Sequence, residues 1–259
     1  MSTLRFASLG SGSKGNATLV EQGDTCVMVD CGFSTRQTVQ RLAHLQRQPE
    51  DLSAILVTHE HSDHIKGVLP FARRFGLPVM MTAGTARAAS IDAGVAAGVD
   101  VRLIDSDKAF SVGGLQVSPV SVPHDAREPV QFVFFDGQKR LGVLTDLGNI
   151  TPHVLEQFKA CDGFLVEANH DQKMLAEGPY PYALKQRVGG DWGHLNNGQT
   201  ARLLSQLNIS DLQILVLAHI SQQNNSRHRV EAELESVVSA LPKTLYACQD
   251  EGFDWQSLE

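Results

Sequence analysis

At 259 residues the chain can bury a substantial core, as one large domain or two small ones. Its 42% hydrophobic and 20% charged residues are those of a globular protein and exclude long disorder. A net charge of −7 excludes the broadly basic surface of a general nucleic-acid binder, although a local basic patch or bound divalent cations would reverse the sign at a site.

The opening Met1 to Phe6 lacks the apolar stretch of a secretory signal. The apolar run Ile214 to Ile220, interrupted by His219, is far too short to span a bilayer. A cytoplasmic protein without membrane association is expected. Cys26, Cys31, Cys161 and Cys248 form no C-x-x-C pair and read as free buried thiols.

In chain order, Leu4 to Leu9 reads as a strand, followed by a Gly/Ser loop. Strands Ala17 to Glu21 and Thr25 to Val29 are joined by the hairpin signal Gln22-Gly23-Asp24. Ser34 or Thr35 caps a helix running to about Gln48, with Val39, Leu42 and Leu45 on one face and Pro49 closing it. A short buried strand, Ala54 to Val57, leads into a histidine cluster, and a helix from His64 to Phe75 follows, ended by Gly76. Pro78 to Met81 is a strand, and Ala83 to Ala97 reads as mixed, mainly helical. The β-rich stretch beyond contains Val101 to Ile104, Leu115 to Val122, Val130 to Phe135 and Arg140 to Leu144. Then come a helix from Thr151 to Phe158 and a strand from Phe164 to Glu167. Lys173 to Gly193, punctuated by Gly and Pro, reads as a loop or lid. A helix capped by Asn196 or Asn197, a strand Gln213 to Ala218, a helix carrying Val230, Leu234, Val237, Val238 and Leu241, and a strand Thr244 to Cys248 complete the chain. The order suggests a layered α/β sandwich with two central sheets. No repeat, charge block or low-complexity tract divides it, so a single domain over 1–259 is expected.

His59-Glu60-His61-Ser62-Asp63-His64 carries the chemistry. Imidazole nitrogen with carboxylate oxygen suits zinc, manganese or iron. Such a group of polar side chains behind an apolar strand is costly to bury unless something neutralises and binds it. His59 and His61, two apart, can grip one ion, while Asp63 and His64, a turn on, can face a second. One cluster cannot complete two coordination shells. Further donors at strand ends are His124, Asp146 and His219, each following an apolar run.

His44, His153 and His228 read as solvated, and His170 has no assignment. His194, between Gly193 and a helix start, stands where backbone N–H groups favour an anion, and Glu167 at the end of its strand can hydrogen-bond it. Asp30, ending its strand, is an acceptor for a metal-bound histidine. Gly10-Ser11-Gly12-Ser13-Lys14-Gly15 matches G-x-G-x-x-G, but a strand rather than a helix follows, which argues against a nucleotide fold. It is either a flexible turn or a phosphate-holding nest involving Ser11, Ser13, Lys14 and Asn16.

These motifs resemble the metallo-β-lactamase fold superfamily. His59, His61, Asp63 and His64 match its central motif, and Asp30, His124, Asp146 and His219 match the others in order. The resemblance implies a four-layer αββα sandwich with two central mixed sheets. It also implies two divalent cations: one held by His59, His61 and His124, the other by Asp63, His64 and His219, with Asp146 bridging. Within the superfamily the chain looks most like the YycJ/WalJ group, members of which are described as 5′-to-3′ DNA exonucleases. That likeness rests on Leu9 to Asn16, Val57 to His64, Pro123 to Ala126, Thr145 to Gly148, Glu167 to Asp171, Gly193 to Asn197 and Ala218 to Ser221. Glu167 and His194 match in order a catalytic glutamate–histidine pair of ribonuclease Z. No long arm for gripping transfer RNA, no room for a β-CASP cap and no cysteine ligand is evident, which argues against transfer-RNA processing and antibiotic hydrolysis.

The expected activity is metal-dependent phosphodiester hydrolysis of nucleic acid, DNA before RNA. Asp63 would ligate a metal and orient the nucleophile, while His194, backed by Glu167, would steady the phosphate and protonate the leaving oxygen. One rival is a thioesterase, lactonase or cyclic phosphodiesterase using the same metals, which the acidic charge favours. Another is a metal-stabilised binding protein without catalysis. Against the first stand Lys14, Lys66, Arg73, Arg74, Lys173, Lys185, Arg187, Arg227 and Arg229, which can form a basic strip.

Overall fold

The computed structural model describes residues 3–91, 94–96, 98–207 and 209–259. The first sheet is built from β1 (Arg5–Gly10), β2 (Ala17–Gln22), β3 (Thr25–Val29), β4 (Ala54–Leu56), β5 (Val79–Thr82), β6 (Gly94–Ala96) and β7 (Val99–Ile104). The second contains β8 (Phe110–Val112), β9 (Leu115–Ser121), β10 (Val130–Phe135), β11 (Arg140–Leu144), β12 (Gly163–Glu167), β13 (Ile214–Ala218) and β14 (Thr244–Tyr246). The last strand, β15 (Phe253–Ser257), returns to the edge of the first sheet. The spatial orders are β15-β1-β2-β3-β4-β5-β7-β6 and β14-β13-β12-β11-β10-β9-β8. Both sheets are mixed: β3, β4, β5 and β7 run parallel, as do β11 to β14, and antiparallel strands flank each set.

Residue alternation sets the layers, because successive side chains of a strand face opposite ways. Phe6, Val20, Val27, Val29 and Leu56 point from the first sheet toward Val117, Phe132, Phe134, Val143 and Val216 of the second, forming the core between them. Their neighbours Ala7, Leu9, Leu19, Met28 and Ile55 face outward against α1 (Thr35–His44), α2 (Ser62–Ile65), α3 (Val68–Phe75) and α4 (Ala83–Ala88). On the far side Val133, Leu144, Phe164, Val166 and Leu217 pack against α5 (Pro152–Phe158), α8 (Asn197–Gln206) and α9 (Arg227–Val238). Between β12 and α8 lie α6 (Gln172–Glu177) and α7 (Tyr182–Val188). This is the expected αββα sandwich. Each buried large apolar side chain contributes about 1.5–3 kcal/mol relative to exposure, so the three cores carry most of the stability.

Several elements differ from the sequence reading. The first helix ends at His44, its start fixed by a Ser34–Gln37 capping box, and Pro49 opens a short 3₁₀ turn rather than closing the helix. The helix expected from His64 to Phe75 is two, α2 and α3, broken at Gly67. There the chain runs against the 31–33 segment: a Cβ on Gly67 would lie 1.9 Å from the Phe33 carbonyl oxygen, and its N–H donates to the Cys31 carbonyl at 2.7 Å. Ala83 to Ala97 contains a short helix and then strand β6, with residues 92, 93 and 97 of that stretch outside the described ones. Lys173 to Gly193 is not a loop but mostly the helices α6 and α7. Strands β8 and β15 were not anticipated, and Cys248 is exposed while the other three thiols are buried.

Candidate metal centre

Parallel strands in register deliver their C-terminal ends to one edge of the sandwich. Leu144 pairs with Val166 and Glu167 with Ala218, so Asp146, Glu167 and His219 emerge together. In the first sheet Val29 pairs with Leu56, which brings Asp30 beside Thr58 and His59. Asp30 (φ 62°) and His219 (φ 49°) both adopt the left-handed backbone, uncommon for non-glycine residues though more accessible to Asp and His than to most, and found often at functional sites. Gly32 permits the close approach of α2: a Cβ there would lie 1.8 Å from the Asp63 carbonyl oxygen.

The structure brings together His59, His61, Asp63, His64, His124, Asp146, Glu167, His194 and His219. Among the described residues, five triads of ligand atoms have every separation within 4.8 Å: His59, His61 and His124; Asp63, His64 and His219; and three that draw in Asp146, His194 or Glu167, namely His59–His64–Asp146, His124–Asp146–His194 and Glu167–His194–His219. Asp146 lies between the first two, its Oδ2 3.3 Å from His64 Nε2 and its Oδ1 3.9 Å from His124 Nε2. Each imidazole has one nitrogen engaged by a neighbouring group, that of His219 also lying 3.2 Å from Asp146 Oδ1. Nδ1 of His59 donates to Thr58 Oγ1 (2.9 Å), of His64 to Asp30 Oδ2 (2.7 Å), of His124 to the Gly193 carbonyl (2.9 Å) and of His219 to the Thr145 carbonyl (2.9 Å). His61 is turned the other way, with Nε2 3.2 Å from the Asp125 carbonyl and Nδ1 facing inward, 3.2 Å from His124 Nε2. Orientation of this kind fixes the tautomer and presents the remaining lone pair.

The donor set fits divalent cations. His59 Nε2 and Asp146 Oδ2 are buried with no hydrogen-bond partner, an arrangement that is costly without a ligand. Burial, reinforced by His64, pushes the His59 imidazole well below its usual range, so it stays neutral and able to ligate. Burial alone would raise Asp63 and Asp146, but His64 and His219 dominate, holding Asp63 down to about 2 and Asp146 well below the carboxylate range. Conversely, despite burial, Asp146, Asp63 and Asp30 raise His64 well above its usual range. The carboxylates thus create a demand for positive charge at the centre.

Across the cleft, His194 Nδ1 lies 3.0 Å from Glu167 Oε2, while Leu147 N–H and Leu195 N–H donate to Glu167 Oε1 at 2.5 and 3.3 Å. Burial and then the charge of Asp146 raise the Glu167 carboxyl well above its usual range. Desolvation lowers His194 to about 4. The cleft, about 340 Å³, is lined by His61, Asp63, Asp146, His194 and His219, and at its mouth Arg187 of α7 pairs with Asp125.

The Gly/Ser loop is placed differently from a free phosphate nest. Ser11 Oγ accepts from the His219 N–H at 2.9 Å, and Asn16 Nδ2 lies 3.3 Å from Asp63 Oδ2 and 3.1 Å from His64 Nε2. The Gly12 and Lys14 N–H groups donate to Asn16 Oδ1 and Gln249 Oε1. Ser11 and Asn16 are therefore buried braces, whereas Ser13 and Lys14 are exposed and Ser13 lines the cleft. Sequence reasoning missed Thr58, whose hydroxyl touches Asp30 and His59, and Asp125 behind His61. Their positions adjacent to His59 and His124 were the only available signal. His44, His153 and His228 are exposed and outside the centre.

With this geometry, the fold and the chain's motifs define one class: the chain belongs to the β-lactamase superfamily, whose Beta-lactamase superfamily domain matches residues 25–220. It is 34% identical over 223 residues to exodeoxyribonuclease WalJ of Streptococcus pneumoniae serotype 2 (strain D39 / NCTC 7466), covering 85% of this chain and 83% of that protein. It is 32% identical over 235 residues to exodeoxyribonuclease YycJ of Bacillus anthracis, covering 91% and 89%. Among solved structures, the metallo-β-lactamase fold protein YhfI from Bacillus subtilis superposes with a TM-score of 0.77 at 17% identity, covering 99% of this chain and all of that one (100%).

Proposed function

We propose that the chain is a dinuclear-metal-dependent phosphodiester hydrolase acting as a DNA exonuclease, with the 5′-to-3′ polarity implied by its YycJ/WalJ resemblance. The observation that carries the metal dependence is the pair of buried, unpartnered atoms His59 Nε2 and Asp146 Oδ2 amid inward-facing ring nitrogens. The exodeoxyribonuclease activity named for the relatives supports DNA over RNA. His59, His61 and His124 would hold one cation and Asp63, His64 and His219 the second, with Asp146 available to both; zinc or manganese suits these donors, with iron a further candidate. When bound, the cations acidify water and offset charge on the phosphoryl oxygens.

The chain's own groups do the rest. Asp63 orients the attacking water through its carboxylate. Glu167, fixed by two backbone N–H groups, holds His194 with Nε2 available to the substrate. A bound phosphodiester's negative charge favours the protonated imidazole, which then delivers its proton to the departing oxygen. Arg187 at the mouth steadies a neighbouring phosphate. A single domain in the cytoplasm completes this reading; among the described residues no helix is long and apolar enough to cross a membrane.

The test is digestion of end-labelled DNA and RNA with zinc and manganese in turn. Stepwise release of nucleotides from the 5′ end of DNA is expected. Turnover of a neutral ester or thioester with DNA left intact would point to the rival hydrolase.

A further inference from the structure

A second cavity, about 430 Å³, lies beside the metal cleft. Helix α7 is a wall of both: Leu184, Arg187 and Val188 line the cleft, while Tyr182, Lys185 and Gln186 line the cavity. None of the helix's own residues is buried. The volume lies within the roughly 300–1,000 Å³ of small-ligand sites.

The lining has a definite chemistry. His170, three residues beyond Glu167, is 2% exposed, and its Nδ1 has no partner. Its backbone is fixed by a bridge to Asn196 and by the Asn197 N–H, which donates to its carbonyl at 2.9 Å. Burial, then the neighbouring His194, lowers it to about 4, so the neutral ring offers one donor and one acceptor. Gln172 and Gln186 add amide groups, and Leu175 and Ala176 add an apolar surface. No carboxylate lines the cavity, so it does not suit a metal ion or a cationic ligand. Its ammonium, Lys185, already donates to the Ala176 carbonyl at 2.7 Å. Gly189 keeps the space open: a Cβ there would lie 3.2 Å from Leu175 Cδ2 and 3.8 Å from His170 Nε2. The large apolar side chains most exposed among the described residues, Tyr182 (77%) and Trp192 (63%), both belong to this segment.

Amide and imidazole edges beside an apolar surface and an exposed ring suit a flat heterocycle carrying donors and acceptors on its rim. We propose that this cavity is a nucleoside subsite that receives one unstacked base of the DNA strand, adjacent to the phosphodiester in the metal cleft. His170, Gln172 and Gln186 bond the edge of the base, and Tyr182 offers its ring to a face. The assignment rests on the DNA-exonuclease reading above and adds to it a requirement for a frayed or single-stranded end.

The test compares wild type with Gln172→Ala/Gln186→Ala, two exposed positions whose truncation spares the core. Substrates are a 5′-phosphorylated single-stranded oligodeoxynucleotide, the same strand with abasic residues at its two terminal positions, and bis(p-nitrophenyl) phosphate, all with manganese. Removing the bases should lower wild-type kcat/KM by about tenfold or more. The variant should lose a similar factor on the intact strand and nothing further on the abasic one. A wild type indifferent to the missing bases, or a variant whose loss on DNA is matched on the small diester, overturns the subsite. A wild type that cleaves the small diester but no DNA overturns the exonuclease reading as well.

Discussion

Asp30 Oδ2 lies 2.7 Å from His64 Nδ1, and both side chains are almost wholly buried. The same carboxylate accepts from the Thr58 N–H and hydroxyl, each at 2.8 Å, so one residue aligns the segments that carry His59 and His64. Asp30→Asn should keep the backbone, because Asn tolerates the left-handed conformation, yet it loses the charge that supports His64. Metal affinity should fall about 10–100-fold, read by zinc titration against a chromophoric chelator. Unchanged affinity would remove Asp30 from the centre.

His61→Ala and Asp63→Ala should each abolish turnover of DNA and lower the bound metal. His194→Ala should cost about a hundredfold in kcat while both metals remain, measured by elemental analysis alongside the rate. Metal loss equal to that of His61→Ala would make His194 a ligand instead.

Chelation should destabilise the fold, because the carboxylates and imidazoles of the centre then lie buried without their cations. At a free metal concentration of 1,000 times Kd, each site contributes about 4 kcal/mol. Calorimetry with and without EDTA should show a clear fall in Tm, reversed by added zinc or manganese.

Arg187 is half of the Arg187–Asp125 pair at the mouth of the cleft. Arg187→Ala should weaken DNA binding and reduce the slope of log K against log salt by about one. An unaltered slope would place the strand elsewhere.

Glu21 is gripped by Arg47 at 2.7 and 2.9 Å and also by Arg5. Burial raises its carboxyl, but the two guanidiniums prevail and the net shift is downward from 4.5. A depressed folded-state value adds stability that is present above the unfolded pKa and lost as pH falls through the folded one. The stability gap between wild type and Glu21→Gln should therefore be full near neutrality, begin to close as pH falls below 4.5 and vanish only once the pH has passed below the depressed folded-state value. Urea unfolding of the metal-free proteins across that range measures it, and a gap that widens on acidification would contradict the assignment.

The histidine cluster was legible because its logic is local: an apolar strand, two imidazoles in alternation, then a carboxylate and an imidazole a turn later. His124, Asp146 and His219 were legible for the same reason, as donor residues closing apolar runs. The order of strands and helices also pointed to a layered sandwich with two central sheets. The segment from Lys173 to Gly193 was misread because Pro181 and Gly189 mark the two ends of α7 rather than the absence of a helix. Strands β8 and β15 escaped because three residues, or a half-buried edge strand, leave little periodic signal.

The amino-acid sequence by itself determined which donor side chains exist and that His59, His124, Asp146 and His219 follow apolar strands while Asp63 and His64 come at the start of the next helix, since strand period and turn chemistry act over a few residues. Only the tertiary structure decided which ring nitrogen of each histidine faces inward, that Ser11 and Asn16 brace His219, Asp63 and His64, and that α7 divides two cavities. Those outcomes depend on hydrogen bonds and packing between segments far apart in the chain, such as His219 with Ser11 and His124 with Gly193, and no local pattern encodes them.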